Sequence, residues 1–495
     1  MKMITQHKFL ILALIAALFY VLMAYFSKGY YHADEQFQII EFAGYKLCTH
    51  SGTELTWEFD ERMRGILQPL IFILITKTAH FFGTVDAYIL IFITRALTGI
   101  LSVFCIHFFI GKIRPLILNP RFHFPFAVAS YFTWFIPYLA VRYSSENLAA
   151  LCLLVAIGLS INSSWNVRKS LLLGAILGLG FLFRFQLGFA IVGYFLWLIF
   201  IKKIEFKNLF AFCSVILLLV GFGVMIDSWF YGEWVFTPWN YFYQNIVSTT
   251  SPSFGDEPWD FFINKFTRYT GPFLNYLLSF GLLIGFIFER RNVIVWCAIP
   301  FILAHSLVLH KEFRFLFPLL FLLVPLFFLA LNHIDGALKN FSYKKWIYGA
   351  VVSGFLVVNT IGLAAMTQKS ADMGHIAITS YIHDHYGDQK INLITVPFGN
   401  PYNPWGRPIK FYQEKNMITT NIEDLCELNT DLIHEDAVNL LVIRQIDGRK
   451  GVCHENLNLQ FCHFITQSIP PWIEKVNTIY KGFDPSNIIE LYELR

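Results

Sequence analysis

Residues 9–27 read FLILALIAALFYVLMAYFS, an apolar run without a charged side chain. A helix of about 20 such residues crosses the hydrocarbon core of a bilayer. Similar runs recur along the 495-residue chain, which is 56% hydrophobic, contains 53 Phe and has a mean hydropathy of +0.52. This composition excludes an ordinary soluble protein and predicts an α-helical multi-pass membrane protein. The run is longer than a signal-peptide core, so we expect it to remain as the first span.

Basic residues in the short loops predict a topology with a cytoplasmic N-terminus, because Lys2, His7 and Lys8 precede the first run. The small net charge of +4 is carried mostly by such loops and does not indicate a nucleic-acid partner. If the segment 65–83 crossed the membrane, every later loop would lie on the opposite side of the membrane from the one its charges predict. We therefore expect a juxtamembrane or re-entrant helix there. This topology predicts about eleven spans: residues 9–27, 88–110, 123–141, 147–162, 171–183, 186–201, 208–226, 273–288, 293–309, 314–331 and 346–366.

The composition changes near residue 367, where charged and polar residues become common. The runs INLITVPF at 391–398 and VNLLVIRQI at 438–446 are typical of buried strands, and IAITSYIHDH at 376–385 is typical of a helix. We therefore expect a membrane domain over 1–366 and a small extracytoplasmic α/β domain over 367–495.

This topology collects the unusual polar residues of the membrane domain on the extracytoplasmic side, above all in loops 28–87 and 227–272. Ionisable groups at span ends are tolerated where they face water or a protein cavity. One polar site on that face is therefore predicted.

The sequence HADEQFQ at 32–38 places two adjacent carboxylates, Asp34 and Glu35, just beyond the first span. A carboxylate there can accept the proton of a sugar hydroxyl that attacks an anomeric carbon. We expect repulsion between the two acids, together with the low-dielectric rim, to raise the pKa of at least one of them. The alternative is a solvated loop with two ordinary acids.

The sequence HKEFR at 310–314 offers three potential cations, His310, Lys311 and Arg314, at the mouth of a span. Arg provides a bidentate fork and Lys a point charge for a phosphate or diphosphate headgroup. The alternative is a set of interfacial anchors. Arg184 lies among apolar residues in GLGFLFRFQLG and needs a partner, either a carboxylate or a lipid phosphate.

Arg142 and Glu146 fall where two predicted spans meet, and an i,i+4 ion pair that closes a helical hairpin is at least as plausible there as ligand contact. The stretch 227–259 is dense in Trp, Tyr and Phe. Aromatic rings stack on sugar faces, but an aromatic belt at the membrane interface explains most of them. Asp227, at the end of a span, is the exception.

Four of the eight cysteines, Cys48, Cys426, Cys453 and Cys462, are expected outside the spans and could pair in an oxidising compartment. The sequons at Asn162 and Asn340 lie on the predicted cytoplasmic side, so neither implies glycosylation.

Together these blocks resemble glycosyltransferase family 22, the mannosyltransferases of GPI and N-glycan assembly that use dolichyl-phosphate mannose. HADE is similar to the family's His-Pro-Asp-Glu signature, and HKEFRF at 310–315 is similar to its His-Lys-Glu-x-Arg-Phe motif. Further similar blocks occur in family order: Thr56-Trp57-Glu58, Arg62-Met63-Arg64-Gly65 with Pro69, Arg142 to Glu146, Asp227-Ser228, Tyr231-Gly232, Trp234, Asn240 and Asn245. Ala33 departs from the family's Pro, so the rigid turn before Asp34 is not assured. The resemblance does not extend over residues 410–495.

The resemblance implies a GT-C fold and a polyprenyl- or dolichyl-phosphate sugar donor, with a lipid-linked glycan as the acceptor. Transfer would invert the anomeric centre and demand neither a nucleotide nor a divalent metal. Asp34 is then the catalytic base and Glu35 its orienting partner, while His310, Lys311, Arg314 and Arg184 hold the donor phosphate. Residues for acceptor binding or structural support are His32, Glu58, Arg64, Arg142, Glu146, Asp227, Tyr231, Trp234 and Asn245.

Two alternatives stay open. Another GT-C transferase could use a different lipid-linked sugar, such as glucose or arabinose. A lipid or sugar transporter should show repeat symmetry and a polar path at the membrane midplane, and neither pattern is visible. The membrane is either a bacterial cytoplasmic membrane or the endoplasmic reticulum.

Overall fold

The computed structural model describes residues 2–49, 51–84, 86–161, 164–248, 255–269, 273–404, 406–449 and 462–494. Most of the elements are helices, and a five-stranded sheet follows near the C-terminus. The helices are α1 (Lys2–Phe26), α2 (Ala33–Glu35), α3 (Phe42–Lys46), α4 (Trp57–Asp60), α5 (Leu67–Phe81), α6 (Ala87–Ile113), α7 (His123–Phe132), α8 (Phe135–Ala140), α9 (Ser145–Ser160), α10 (Val167–Phe183), α11 (Gly188–Trp197), α12 (Phe206–Tyr231), α13 (Thr237–Phe242), α14 (Phe261–Tyr269), α15 (Leu274–Phe288), α16 (Val293–Leu307), α17 (Leu320–Ala337), α18 (Lys344–Gln368), α19 (His375–Tyr386), α20 (Gln445–Arg449) and α21 (Pro471–Tyr480). The strands are β1 (Ile391–Thr395), β2 (Met417–Asn421), β3 (Val438–Arg444), β4 (Cys462–Gln467) and β5 (Ile489–Leu494).

Helices occupy every stretch in which a span was expected. Within the described residues, six helical stretches are long and apolar enough to cross a membrane: 7–26, 87–116, 185–202, 206–231, 313–337 and 344–368. Four shorter apolar helices cover 67–81, 145–160, 274–288 and 293–307. These helices confirm an integral, multi-pass, mostly helical membrane protein.

The expected span 123–141 is interrupted rather than continuous. Pro137 lacks an N–H and its ring would clash with the carbonyl of Thr133 in a regular helix, so α7 ends and α8 begins anew. Asn359 of α18 compensates, because its Oδ1 accepts from the N–H of Trp134 at 2.8 Å and its Nδ2 donates to the carbonyl of Phe132 at 2.7 Å. A break in a membrane helix is tolerated when neighbouring side chains satisfy the freed backbone groups in this way.

The chain forms two compact units. The first comprises Met1–Met23, Glu61–Ile71 and Arg95–Ala364, and the second comprises Ala24–Asp60, Phe72–Thr94 and Ala365–Arg495.

Glycines allow close helix packing in the first unit. A Cβ on Gly174 of α10 would lie 2.5 Å from the carbonyl oxygen of Phe212 in α12, and a Cβ on Gly193 of α11 would lie 2.0 Å from that of Trp296 in α16. Small residues drive such contacts where lipid removes the hydrophobic gain of association. Helices α10 and α16, which lead into the candidate site residues Arg184 and His310, are therefore held by backbone-to-backbone packing.

The second unit is built on the predicted C-terminal α/β domain, and its sheet has the strand order β2-β1-β3-β5-β4. Strands β1, β2 and β3 are parallel, while β5 is antiparallel to both β3 and β4. All five residues of β1 are buried, as the continuous apolar run predicts for a central strand. The core joins β1, β3 and β5 to the apolar face of α19, including Ile376 and Ile382.

The segment that follows the first span is part of the same core. Tyr30 and Phe37 are buried with the strand residues of the sheet. The carbonyl of Lys28 accepts from the N–H of Ala371 at 2.8 Å, and its Nζ donates to Ser380 Oγ at 2.7 Å. The carboxylate of Glu54, farther along, pairs with Lys410. The C-terminal domain thus anchors the segment that carries the HADE sequence.

Candidate active site

The acidic turn, residues 31–35, carries the two adjacent carboxylates and belongs to the second unit. His32 caps α2, because its Nδ1 accepts a hydrogen bond from the N–H of Asp34 at 3.3 Å. The same Nδ1 lies 3.3 Å from Oδ1 of Asp34, so the imidazole contacts both the amide and the carboxylate. Glu35 Oε1 accepts from the N–H of Tyr31 at 3.1 Å. Glu35 therefore closes the turn, while the Asp34 side chain stays 20% exposed.

A π-helical stretch, Gln36–Glu41, follows directly, and all six of its residues are buried. Gln36 Nε2 donates to Glu41 Oε1 at 2.7 Å, and Gln38 Nε2 donates to Glu58 Oε1 at 2.9 Å. Each amide bonds one oxygen of a buried carboxylate, which lowers the cost of burying that charge. Glu58, predicted as a supporting residue, thus fixes the helix behind the acidic turn. Single π turns inside helices are rare and are frequent at functional sites.

In the first unit, four side chains form a chain of ion pairs, which we call the ion network: the buried Arg184, Glu146 and Arg314, and the partly exposed Glu312. Glu146 Oε1 accepts from NH1 of Arg184 at 2.8 Å and from NH1 of Arg314 at 3.0 Å. Arg314 also donates through Nε at 2.5 Å and NH2 at 3.2 Å to the two oxygens of Glu312. The side chains of Arg184, Glu146 and Arg314 are only 5–7% exposed. The formal charges of the four groups cancel, so removal of one leaves a buried charge without its partner.

The ion network explains how Arg184 is accommodated among apolar residues. Its partner is a carboxylate, and Ser145 Oγ accepts a further hydrogen bond from its NH1 at 3.0 Å. Sequence reasoning placed Glu146 next to Arg142, four residues earlier. The structure bonds Glu146 to Arg184, 38 residues away, and to Arg314, 168 residues away. Arg142 is buried too, with its guanidinium carbon 4.3 Å from the ring centroid of Tyr138.

Lys311 and His310 flank the ion network. The Nζ of Lys311, in a side chain that is 5% exposed, donates to the carbonyls of Glu257 at 2.5 Å and Leu309 at 3.4 Å. Among the described residues, no carboxylate lies within ion-pair distance of Lys311. A buried ammonium with only carbonyl partners favours an incoming anion. His310 Nε2 lies 3.1 Å from Glu312 Oε1.

The ring of Phe315 lies among these groups. The guanidinium carbons of Arg314 and Arg184 are 5.5 and 5.7 Å from its centroid, and the imidazole of His310 is 6.0 Å away. His305, at 5.9 Å, is a residue that sequence reasoning missed. Its Nδ1 lies 2.7 Å from the Phe301 carbonyl, and its buried Nε2 has no hydrogen-bond partner in the described part of the chain. The sequence feature that could have revealed it is a lone His within the apolar segment AIPFILAHSL.

A second cluster in the first unit surrounds Asp227, at the end of α12. Its Oδ1 accepts from the N–H of Ile66 at 2.8 Å, and its Oδ2 accepts from the hydroxyl of Thr237. Tyr231 donates to the carbonyl of Arg64 at 3.0 Å. Asp227 therefore ties the 61–66 loop to the start of α13, which is a supporting role.

Three further predicted residues, Arg64, Trp234 and Asn245, are close in sequence to members of the Asp227 cluster. The guanidinium carbon of Arg64 is 5.3 Å from the ring centroid of Tyr241. Trp234 is 80% exposed after the left-handed turn at Gly232 (φ +76°). Asn245 donates to the carbonyl of Tyr241 at 2.8 Å and so supports its own helical turn.

The cysteines expected outside the spans differ in state. Cys426 is in a disulfide bond, whereas Cys48 and Cys462 are free. Cys453 and Asn162 lie outside the described residues, as do residues 249–254 and 270–272 of the 227–272 loop.

Comparisons with known proteins agree with this architecture. The model of the Alg9-like mannosyltransferase family matches residues 11–401. GPI alpha-1,2-mannosyltransferase 3 of Danio rerio is 27% identical over 300 residues, which are 58% of this chain and 53% of that protein. Its counterpart from Bos taurus is 24% identical over 407 residues, 80% of this chain and 72% of that protein. The chain thus spans about half the length of the first of these relatives and nearly three quarters of the second.

The crystal structure of ArnT from Cupriavidus metallidurans bound to undecaprenyl phosphate superposes with a TM-score of 0.53 at 11% identity, covering 98% of both chains. At this identity the likeness concerns the fold alone, and it confirms the expected GT-C type fold with its C-terminal α/β domain. Because the family model covers well over half of its length, the chain belongs to the Alg9-like mannosyltransferase family.

Proposed function

We propose that the protein transfers a mannosyl residue from polyprenyl- or dolichyl-phosphate mannose to a lipid-linked glycan, with inversion at the anomeric carbon. Family membership and the activity named for the relatives support the sugar. ArnT has the same fold and holds undecaprenyl phosphate, which supports a polyprenyl phosphate as the lipid of the donor. The reaction takes place at the extracytoplasmic or luminal face of a bacterial cytoplasmic membrane or of the endoplasmic reticulum.

The observation that supports binding of the donor phosphate is Lys311, the buried cation whose described partners are two carbonyl oxygens. The contact at 3.4 Å is long and is readily exchanged for a phosphate oxygen. The ion network beside it consists of paired charges, so Arg184 and Arg314 serve mainly as a rigid polar wall. In this proposal Lys311 provides the net positive charge and His310 a further hydrogen bond to the phosphate.

In the chemical step, the oxygen of the acceptor hydroxyl bonds to the anomeric carbon while the bond from that carbon to the phosphate oxygen breaks. The phosphate leaves on its lipid, and Lys311 and His310 stabilise its developing negative charge. Asp34 accepts the hydroxyl proton as the general base. Glu35 and His32 hold Asp34 in position through the backbone of the acidic turn.

The test is transfer of radiolabelled mannose from polyprenyl-phosphate mannose to extracted membrane glycolipids, with Asp34→Asn beside the wild type. Removal of a general base costs roughly 10²- to 10⁴-fold in rate. Asp388→Asn is the matched control, because Asp388 is an exposed acid of the same unit. Glu35→Gln should retain more activity than Asp34→Asn, since its carboxylate closes the turn.

Each outcome has a defined meaning. Transfer that collapses in Asp34→Asn alone, at unchanged protein level, supports both the activity and the base. Transfer that survives in Asp34→Asn removes Asp34 as the base. If glucose or arabinose is transferred instead of mannose, the fold and mechanism stand and the sugar is wrong. If no polyprenyl-phosphate sugar is used with any acceptor, the transport alternative returns.

A further inference from the structure

A polar pocket in the first unit has no assigned role in the reaction described above. It has a volume of about 290 Å³ and is lined by Glu61, Trp239, Asn240, Tyr243 and Gln244. Ligand pockets for whole organic molecules occupy about 300–1,000 Å³, so this pocket suits one small unit of a larger ligand. Its lining combines two exposed aromatic rings with one carboxylate and two amides.

The pocket is held in shape by hydrogen bonds within its wall. Asn240 Nδ2 donates to the carbonyls of Glu61 at 3.3 Å and Arg62 at 3.2 Å, which fixes the loop against the helix. Gln244 Nε2 donates to Glu61 Oε2 at 2.5 Å, which orients the carboxylate. Residues 239, 240, 243 and 244 share one helical face, so four of the five lining side chains come from one rigid element.

Three further polar atoms of the lining have no hydrogen-bond partner among the described residues. They are Oε1 of Glu61, the indole N–H of Trp239 and the hydroxyl of Tyr243. Together they offer one ionised acceptor, one donor and one group that can be either. A ligand rich in hydroxyl groups satisfies this set, because each hydroxyl both donates and accepts.

The aromatic rings add the second element of sugar recognition. Trp239 is 54% exposed and Tyr243 is 45% exposed. The faces of aromatic rings carry negative charge density, which attracts the weakly positive C–H groups on one face of a pyranose ring. A lipid-facing aromatic anchor would not need a carboxylate and two amides at the same place.

We propose that this pocket is a subsite for a sugar unit of the acceptor glycan, which Glu61 holds by its hydroxyl groups and Trp239 and Tyr243 by its face. The inference rests on the proposed function, because it assumes that a glycan is the acceptor. It assigns acceptor binding to the 61–66 loop and α13. Asp227 links these two segments, because it accepts hydrogen bonds from Ile66 and Thr237.

The first experiment does not require transfer. Saturation-transfer NMR measures binding of α-1,2-mannobiose to the full-length protein in nanodiscs, for the wild type, Glu61→Ala, Trp239→Ala and Tyr243→Phe. Trp346→Ala is the control, because Trp346 is 80% exposed and belongs to α18. We expect a mannobiose signal for the wild type and the control that is lost in Glu61→Ala and Trp239→Ala and weakened in Tyr243→Phe.

The second experiment measures steady-state transfer with the same variants. Loss of one charge-assisted hydrogen bond or one stacking ring should raise KM for the glycolipid acceptor about tenfold, equivalent to about 1.4 kcal/mol. The kcat and the KM for the donor should stay within about twofold of the wild type, because no donor contact is changed. Thermal midpoints identify any variant that is misfolded.

The outcomes separate the two proposals. Unchanged acceptor KM in variants of an active enzyme contradicts the subsite and leaves the proposed function intact. Equal loss in Trp346→Ala also contradicts it and favours a general role of exposed aromatics at the lipid interface. A wild type without transfer activity that still binds mannobiose through Glu61 contradicts the proposed function but supports the pocket as a sugar site.

Discussion

The acidic turn and the ion network differ in how far their charged side chains are exposed to water. Asp34 is 20% exposed and is held in a three-residue helix by local hydrogen bonds, so water can reach its carboxylate. The side chains of Arg184, Glu146 and Arg314 are 5–7% exposed and are held by partners from distant parts of the sequence. A group that must accept a proton needs access to water, whereas a group that only provides charge is more effective when it is fixed and dry.

The largest expected effect is the loss of stability when one charge of the buried ion network is removed. Glu146→Gln leaves Arg184 and Arg314 without the carboxylate they share, which should lower the free energy of unfolding by about 3–5 kcal/mol. Thermal unfolding in detergent can be followed with a thiol-reactive dye, since Cys297 is buried and free. Glu205→Gln is the control, because Glu205 forms an exposed pair with Lys207 and should cost less than about 1 kcal/mol.

A fall no larger for Glu146→Gln than for Glu205→Gln would show that water already screens the network. The comparison with the acidic turn would then lose its basis, because both regions would be equally solvated.

The next prediction separates binding from stability at Lys311. Lys311→Met removes a buried ammonium that has no described ionic partner, so the thermal midpoint should stay the same or rise. The same change removes charge-assisted hydrogen bonds to the donor phosphate, which should raise KM for polyprenyl-phosphate mannose by at least about tenfold. Donor kinetics and thermal unfolding are measured on the same preparations. A stable variant with unchanged donor KM would remove Lys311 from the phosphate site.

The sequence alone predicted much of this arrangement. The apolar runs predicted the helices, which the structure confirms. The HADE and HKEFRF motifs predicted the catalytic and phosphate-binding residues, and those roles stay predictions. The sequence suggested Arg142 as a partner of Glu146, because it shows i,i+4 neighbours. It could not reveal Arg314, a partner of Glu146 that lies 168 residues away. The π stretch at 36–41 could not be predicted either, since it depends on the buried pairs that Gln36 and Gln38 form with Glu41 and Glu58.

A smaller effect concerns pH, and it belongs to the second unit alone. Burial lowers the pKa of His383, but hydrogen bonds and charge from Glu414 and Asp86, each 2.7 Å from a ring nitrogen, raise the pKa above its usual value overall. The ion pairs should therefore stabilise the unit fully below about pH 6.5 and be lost as the pH rises through the raised pKa.

His383→Gln tests this prediction through thermal midpoints measured from pH 5.5 to 9. The difference between wild type and variant should be largest at the acidic end and shrink as the pH rises. Tyr88, whose ring lies 4.8 Å from that of His383, stays in place as a packing partner in both proteins. A difference that grows with pH would mean that the imidazole is neutral in the fold.

The smallest effect concerns Ala33, at the position where the family has Pro. His32 is extended at φ −140° and ψ 151°, the region that a residue before Pro prefers. Ala33 is the first residue of α2, a position where Pro is common because its N–H has no partner within the helix. Ala33→Pro should therefore fit the acidic turn and stabilise it by about 0.4–1 kcal/mol, through a less flexible unfolded chain.

The matched control is Ala43→Pro, which places the same ring at a buried position where the π-helical stretch Gln36–Glu41 runs on into α3 without a break, and should cost about 3 kcal/mol or more. We expect mannosyl transfer by Ala33→Pro to stay within about twofold of the wild type, because Asp34 keeps its backbone position. If transfer instead falls sharply while the thermal midpoint rises, the acidic turn must move during the reaction. Accessibility of the base would then require a flexible backbone as well as exposure, which would deepen the contrast with the rigid ion network.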